Sequence, residues 1–157
     1  MNGAFTKHAT IGSGTFGNVY RATHVPSGKI FALKQFKARF QSEAKAFEQR
    51  EVRILQRFME HQGSHANDEI WAQAAGIPKY EVVKLNGHCP FVMKAEQIAY
   101  DDGWLFIVFE QMEMTLTQFI KRRKRLQEDE IRTIMRQIVL GMQYLNEEME
   151  IMHRDIK

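Results

Sequence analysis

The sequence predicts an α+β fold, and three observations support that class. Short alternating segments separated by glycine and proline turns fill residues 5–34, which is typical of antiparallel strands. Trp104–Phe109 (WLFIVF) is a continuous apolar run that follows a turn at Asp101-Asp102-Gly103, and it predicts a central strand. Asp129–Glu147 repeats apolar residues at helical spacing and predicts a strong amphipathic helix.

Composition narrows the class of protein further. The chain has 157 residues, 44% of them hydrophobic and 26% charged, which fits one packed globular domain. A net charge of +3 is too small to argue for a nucleic-acid partner. Cys89 is the only cysteine, so no disulfide can form within the chain, and we expect a reducing, intracellular location, cytoplasmic or nuclear. With no long apolar run and no leader-like N-terminus, we expect no membrane partner.

The first strands surround a glycine-rich turn. Gly12, Gly14 and Gly17 form the pattern G-x-G-x-x-G within IGSGTFGNVY. The predicted strands are Phe5–Ile11, Asn18–Thr23 and Lys29–Lys34, with a turn at Pro26-Ser27-Gly28 before the third. Because glycine has no Cβ, backbone N–H groups in such a turn can face phosphate oxygens closely.

The residues around this turn decide which phosphate site it favours. Dinucleotide-binding folds use the same glycines, but there the third glycine opens a helix and a carboxylate follows about 20 residues on. Here a strand follows, and Lys34 stands where that fold has a carboxylate. Ala32 lies on the same strand face as Lys34, and Ile11 and Val19 flank the turn as an apolar roof for a flat ring. The pattern therefore favours a phosphate clamp over a turn that binds nothing.

One predicted helix, Gln41–His61, carries an unusual carboxylate. Glu51 lies within an apolar stripe formed by Ala44, Phe47, Ile54, Leu55 and Phe58. An unpaired charge at such a position costs several kcal/mol (about 3–5 for a broken buried pair), so we expect an ion pair with Lys34. The alternative is a partly exposed glutamate at the edge of the stripe.

The next segment mixes loops with short elements. Glu69–Ala75 predicts a helical turn that Gly76-Ile77-Pro78 ends, and Tyr80–Leu85 and Phe91–Tyr100 both have the composition of strands. Three histidines lie nearby without the spacing of a metal site, so we interpret them as solvated loop residues: His61, His65 and His88.

Helices dominate the remainder of the chain. After a polar segment at Glu110–Met114, Thr115–Ile120 predicts a short helix. The basic run Lys121–Arg125 (KRRKR) is either a solvated loop or a nuclear import signal or dock for acidic peptides. Gln127 stands where a serine or threonine cap is expected before the long helix. The apolar stripe of that helix consists of Ile131, Ile134, Met135, Ile138, Val139, Met142 and Leu145.

Four motifs in order resemble the N-terminal part of a eukaryotic protein kinase domain. They are IGSGTFGNVY, FALK ending at Lys34, QREVRIL with Glu51, and HRDIK at the end of the chain. The resemblance implies a partial kinase domain over 1–157: a five-stranded antiparallel N-lobe with its helix C (1–109), a hinge (110–114), and the first helices of a helical C-lobe (115–157). A phenylalanine followed by glutamate at the hinge is similar to the cyclin-dependent kinases, and Gly76-Ile77-Pro78 resembles casein kinase 1, so the subfamily stays open.

The family pattern also implies roles for individual residues. Lys34, held by Glu51, would bind the α- and β-phosphates of ATP, and Asp155 would orient the substrate hydroxyl and accept its proton. Lys157, two residues later, resembles the serine/threonine kinases. Phe109 would be the gatekeeper. The full ATP-binding set would be Ile11, Gly12, Ser13, Gly14, Thr15, Gly17, Val19, Ala32, Lys34, Phe109, Glu110 and Met112.

The residues present leave two functional interpretations open. Residues 1–157 contain no D-F-G and no asparagine after HRDIK, the usual Mg²⁺ ligands of the family, so we predict no metal ligand here and little activity for this chain alone. The first interpretation is a serine/threonine protein kinase acting on protein substrates, with an unknown activator. The second is a non-catalytic kinase-like fragment that binds nucleotide weakly or binds a partner protein.

Overall fold

In the described residues, five strands form one antiparallel sheet with the spatial order β1-β2-β3-β5-β4. The computed structural model describes residues 3–61, 65–77 and 87–156. The strands are β1 (Phe5–Ser13), β2 (Gly17–His24), β3 (Ile30–Arg39), β4 (Ala95–Asp101) and β5 (Trp104–Glu110). The predicted α+β class with a five-stranded antiparallel sheet is confirmed.

Turn residues close the hairpins where the sequence places them. Gly28 has φ +67°, a value that suits glycine, and its N–H donates to the carbonyl of His24 at 2.8 Å. Between β4 and β5, Asp102 (φ +45°) and Gly103 (φ +79°) form a two-residue loop, since Asp101 pairs directly with Trp104. Two consecutive positive φ values match the twist of the flanking strands.

The two faces of the sheet carry different sets of side chains, because side chains alternate along each strand. One face buries a cluster of Ala22, Leu33, Phe106 and Val108. The opposite face carries the buried Phe36 and Ile107, and Lys34 stands on this face directly across from Ile107. The lysine is therefore aimed away from the apolar cluster.

The helix predicted over Gln41–His61 is divided in two, which corrects that prediction. The first part, α1, is Glu43–Phe47, and the second, α2, is Arg50–Glu60. At the division the N–H of Gln49 bonds to the carbonyl of Ala46, three residues back, so the chain tightens there. The buried residues differ from the predicted stripe as a result. On α1, Ala46 is buried and Ala44 is exposed, and on α2 the buried residues are Val52, Leu55 and Phe58.

Among the residues that the structure describes, three further helices follow, α3 (Asp68–Ala75), α4 (Leu116–Arg123) and α5 (Glu128–Glu147), with a short 3₁₀ turn at His65–Asn67. The predicted strand over Phe91–Tyr100 begins only at Ala95. Phe91 instead packs on α5, where its carbonyl oxygen lies 3.2 Å from the place a Cβ on Gly141 would occupy. The strand predicted over Tyr80–Leu85 lies outside the described residues.

The backbone contacts divide the chain into two compact units. One is Met1–Glu60 with Lys94–Glu113, and the other is His61–Met93 with Met114–Lys157. The lobe boundaries inferred from the sequence stay a prediction. In the second unit α3 packs on α5: Gln137 donates to the carbonyl of Ala74 at 2.9 Å, and the Trp71 and Tyr144 rings meet edge-on at 5.4 Å.

The long helix α5 buries only part of its surface in its unit. Gly141, Tyr144 and Leu145 are buried, but a stripe of the predicted apolar positions remains exposed, namely Ile131, Met135, Val139 and Met142. Its N-terminus is closed without serine or threonine, because Glu130 accepts the N–H of Gln127 at 2.8 Å. No helix among the described residues is long and apolar enough to cross a bilayer.

Candidate nucleotide site

The central contact of the site is the ion pair between Lys34 and Glu51. The Lys34 Nζ donates to both carboxylate oxygens of Glu51, at 2.6 and 2.7 Å. The two side chains are 19% and 37% exposed, so water screens the pair only in part. The ion pair predicted from the sequence is present. Glu51 is also partly exposed, as the alternative of a glutamate at the edge of the apolar stripe required.

Local structure explains why these two side chains meet. Lys34 is held in register between β2 and β5, opposite Val19 on one side and Ile107 on the other. Glu51 lies in the first turn of α2, where the helix dipole favours a negative charge. Helix α2 also contacts β4 of the same sheet. The ion pair therefore links β3 to α2, and each of its two residues is held by a regular element.

Phe36 is a second partner of the Lys34 ammonium. The Nζ lies 5.2 Å from the centroid of the Phe36 ring, within the range of a cation–π contact. Phe36 follows Lys34 by two residues, so it shares the strand face, and this spacing is the signal that sequence reasoning did not use. An ammonium has three N–H donors, and the two bonds to Glu51 leave one for another acceptor.

The glycine loop between β1 and β2 is held by bonds within itself and by contact with β3. The Gly14 N–H donates to the carbonyl of Gly17 at 2.9 Å, and the Ser13 hydroxyl donates to Asn18 Oδ1 at 2.8 Å. A Cβ on Gly17 would lie 2.7 Å from the Gln35 carbonyl oxygen, which no real Cβ tolerates. Gly17 therefore allows β2 to approach β3 closely beside Lys34.

Most of the residues predicted to surround the nucleotide come together on one unit. Gly12 pairs with Val19 and Val19 with Lys34, so these residues share a sheet face with Ala32. Phe109 is opposite Ala32 and is buried. The remaining predicted residues of the loop and hinge belong to the same unit: Ile11, Ser13, Thr15, Glu110 and Met112.

The segment after β5 offers backbone groups. Glu110 ends β5 opposite Phe31. Met112 is half exposed, and its carbonyl accepts the Gln111 side-chain amide at 2.8 Å. A carbonyl oxygen has two lone pairs, so this bond leaves acceptor capacity at Met112.

The HRDIK motif lies in the other unit. The Asp155 N–H bonds to Nδ1 of His153 at 3.2 Å, and Arg154 between them has φ +61°. Lys157 lies outside the described residues. Within the parts of the chain that the structure describes, no group of three or more histidine, cysteine, aspartate or glutamate side chains is arranged to hold a metal ion.

Sequence reasoning missed one cation at the loop. Lys37 on β3 donates from its Nζ to the carbonyl of Gly14 at 2.8 Å. Strand periodicity gives no signal for this contact, because it depends on the Nζ at the end of a long, flexible side chain and not on which strand face carries Lys37.

Comparison with known proteins identifies the family. The protein kinase domain model matches residues 5–73 and 78–157. Cyclin-dependent kinase F-3 of Oryza sativa subsp. japonica is 31% identical over 148 residues, 94% of this chain and 27% of that protein. Serine/threonine-protein kinase ICK of Rattus norvegicus (28%) and serine/threonine-protein kinase MAK of Mus musculus (29%) align over 154 residues, 98% of this chain and 20% of theirs.

The chain thus spans between 20% and 27% of the length of these three relatives. The names of ICK and MAK agree with the serine/threonine type that Lys157, two residues after Asp155, indicated. The chain belongs to the protein kinase domain family.

Proposed function

We propose that the unit carrying Lys34 binds ATP for a serine/threonine protein kinase that transfers phosphate to protein hydroxyl groups. The ion pair of Lys34 with Glu51 at 2.6 Å is the observation that supports this most directly. It orients an ammonium on the sheet face that also carries Val19 and Ala32, so a cation lies beside small apolar side chains. That combination suits a phosphate next to a flat base.

Each residue of the proposed site has its own role in binding ATP or in phosphate transfer. Lys34 binds the α- and β-phosphates while Glu51 holds its ammonium in place. The glycine loop offers backbone N–H groups to the phosphates, and Phe109, Glu110 and Met112 line the adenine side. In the complete kinase domain, Asp155 orients the substrate hydroxyl and accepts its proton, and Lys157 contributes positive charge. Mg²⁺, which this family uses, neutralises charge on the transferred phosphoryl group when bound.

Residues 1–157 by themselves are proposed to bind nucleotide without useful turnover. The family's usual Mg²⁺ ligands are not among them, so phosphate contacts depend on Lys34 and the loop. We expect ATP to bind with a Kd in the high micromolar to millimolar range, about −4 to −6 kcal/mol, with little dependence on Mg²⁺. Phosphate incorporation into a generic basic substrate is expected at background; turnover that disappears in Asp155→Asn would contradict this.

Isothermal titration of the chain with ATP tests the proposal. Lys34→Met is expected to weaken ATP binding by about tenfold or more, since it removes a charge-assisted contact to phosphate. Lys29→Met is the matched control, because Lys29 is exposed in the β2–β3 turn and the same charge is lost there. Equal affinities for all three proteins, or no binding at millimolar ATP by a folded sample, would overturn the proposal and leave a kinase-like fragment that binds a partner protein.

A further inference from the structure

Lys37 bonds to the glycine loop at two places. Its backbone N–H donates to the carbonyl of Phe16 at 3.0 Å, and its Nζ donates to the carbonyl of Gly14 at 2.8 Å. The last ladder pair between β2 and β3 joins Gly17 to Phe36, so Lys37 continues the β3 strand directly beneath the loop. One residue therefore contacts both the start and the tip of the turn.

The two glycines of this turn are held by different forces. Gly17 is fixed by shape, because its backbone lies against the Gln35 carbonyl. Gly14 has open space around it: the nearest atom to a Cβ built there is 3.9 Å away. Its position depends on hydrogen bonds, one from its own N–H to Gly17 and one that its carbonyl accepts from Lys37.

A glycine held only by hydrogen bonds loses much conformational entropy when it is ordered. The Phe16 side chain at the tip is 71% exposed and adds no packing to hold the loop. A bond from a charged donor to the Gly14 carbonyl is stronger than one between neutral groups. Because this bond already orders the loop, a phosphate group that binds there loses less affinity to the entropy cost of ordering it. This is pre-organisation of a binding site.

We propose that Lys37 is a positioning residue that holds the Gly14 end of the loop over β3 and thereby raises affinity for phosphate-bearing nucleotides. This rests on the proposed ATP site but acts through the loop, apart from Lys34 and Glu51. It follows that Lys37 affects ligands with phosphates and leaves the contribution of the adenine and ribose unchanged.

The loop itself is tested without any ligand, by NMR amide exchange at Gly14, whose N–H is bonded to Gly17. Lys37→Met is expected to speed exchange at Gly14 about three- to tenfold, the effect of one hydrogen bond, while the thermal midpoint changes little. Lys37→Arg keeps a charged donor and is expected to restore slow exchange. Lys29→Met removes the same charge elsewhere and is expected to leave it unchanged. Unaltered exchange in Lys37→Met would overturn the proposal.

A second measurement compares ATP with adenosine in the same variants. Lys37→Met is expected to weaken ATP about three- to tenfold and adenosine less than about twofold, with Lys37→Arg restoring ATP binding. Equal weakening of both ligands would overturn the positioning role. If the unaltered chain binds neither ligand, the proposed ATP site fails, and the exchange result alone decides whether Lys37 holds the loop.

Discussion

Glu51 presents both of its carboxylate oxygens to the Nζ of Lys34, at 2.6 and 2.7 Å, from a helix that begins only one residue earlier. The placement at the helix start gives the carboxylate a favourable dipole and a rigid backbone. The pair thus orients the ammonium before any ligand arrives, which is the kind of pre-organisation that electrostatic stabilisation of phosphoryl transfer requires.

Neutralising Glu51 is the first prediction. Glu51→Gln keeps the shape but removes the charge, and we expect the free energy of unfolding to fall by about 1–2 kcal/mol, between values for exposed and buried pairs. Urea denaturation measures this. Glu48→Gln is the control, since Glu48 pairs with Lys45 at 3.0 Å in an exposed position and is expected to change stability by less than about 0.5 kcal/mol. Equal effects from both variants would contradict the prediction.

The second prediction concerns the effect of adding a methyl group to the glycine loop. Gly17→Ala places a Cβ against the Gln35 carbonyl and must shift β2 or β3, so we expect a loss of about 1–3 kcal/mol in the free energy of unfolding. Gly14→Ala meets no atom closer than 3.9 Å and is expected to cost less than about 1 kcal/mol. Denaturation curves for both variants check the contrast, and the reverse order would show that the approach of the strands is looser than described.

The start of α5 carries the third prediction. The pKa of Glu130 is lowered from its ordinary value of 4.5, first by the Gln127 N–H and then by the Arg123 side chain. A carboxyl whose pKa is lower in the folded state stabilises the fold above its unfolded pKa, and that stabilisation is lost as the pH falls through the folded pKa. Glu130→Gln should therefore lower the thermal midpoint at pH 7, and this effect should shrink progressively as the pH is lowered below the ordinary pKa of a glutamate.

The comparison for this measurement lies on the same helix. Glu128 pairs with Arg132 one turn on, but both side chains are largely exposed. Glu128→Gln is expected to shift the thermal midpoint less than Glu130→Gln at pH 7. A Glu130→Gln effect that stays constant as the pH is lowered through the acid range would mean that the carboxylate charge does not stabilise α5.

Cys89 provides the fourth prediction. Burial raises the pKa of its thiol to about 11, against an ordinary value of 9.0, and the residue is only 4% exposed. At pH 8 this leaves roughly one hundredth of the usual thiolate, so alkylation by iodoacetamide should be at least about 100-fold slower in the folded protein than in urea. A Ser27→Cys, Cys89→Ala double variant places the thiol on an exposed turn and should react at the unfolded rate. Rapid labelling of native Cys89 would contradict its burial.

Much of the fold follows from local patterns. The hairpin turns at Gly28 and Gly103 have residues that positive φ requires, and the apolar run Trp104–Phe109 corresponds to β5 almost residue for residue. The ion pair was predictable because a lysine at a fixed place in β3 and a glutamate inside an apolar stripe each need a partner. These inferences depend on spacing along the chain, which the sequence contains directly.

The differences from the predicted structure have two origins, a helix break without a local sequence signal and contacts between residues far apart in the chain. Nothing between Gln41 and His61 is a glycine or proline, so no local signal marks the break at Gln49. Phe91 has the composition of a strand residue, but it packs against Gly141, fifty positions later. The bond from Lys37 to Gly14 depends on how far a flexible side chain reaches across a loop. Such contacts depend on the assembled structure and carry no periodicity.

The break between α1 and α2 has a consequence for how this element tolerates changes in length. In an unbroken helix every inserted residue would rotate Glu51 by about 100° around the axis and remove it from Lys34. Here Glu51 takes its direction from α2 alone, which begins at Arg50, while α1 has five residues and is too short to persist by itself. Insertions and deletions before Arg50 therefore alter the connection from β3 without turning the Glu51 carboxylate. Changes in length are tolerated before the break, whereas a change between Arg50 and Glu51 would move the carboxylate away from Lys34.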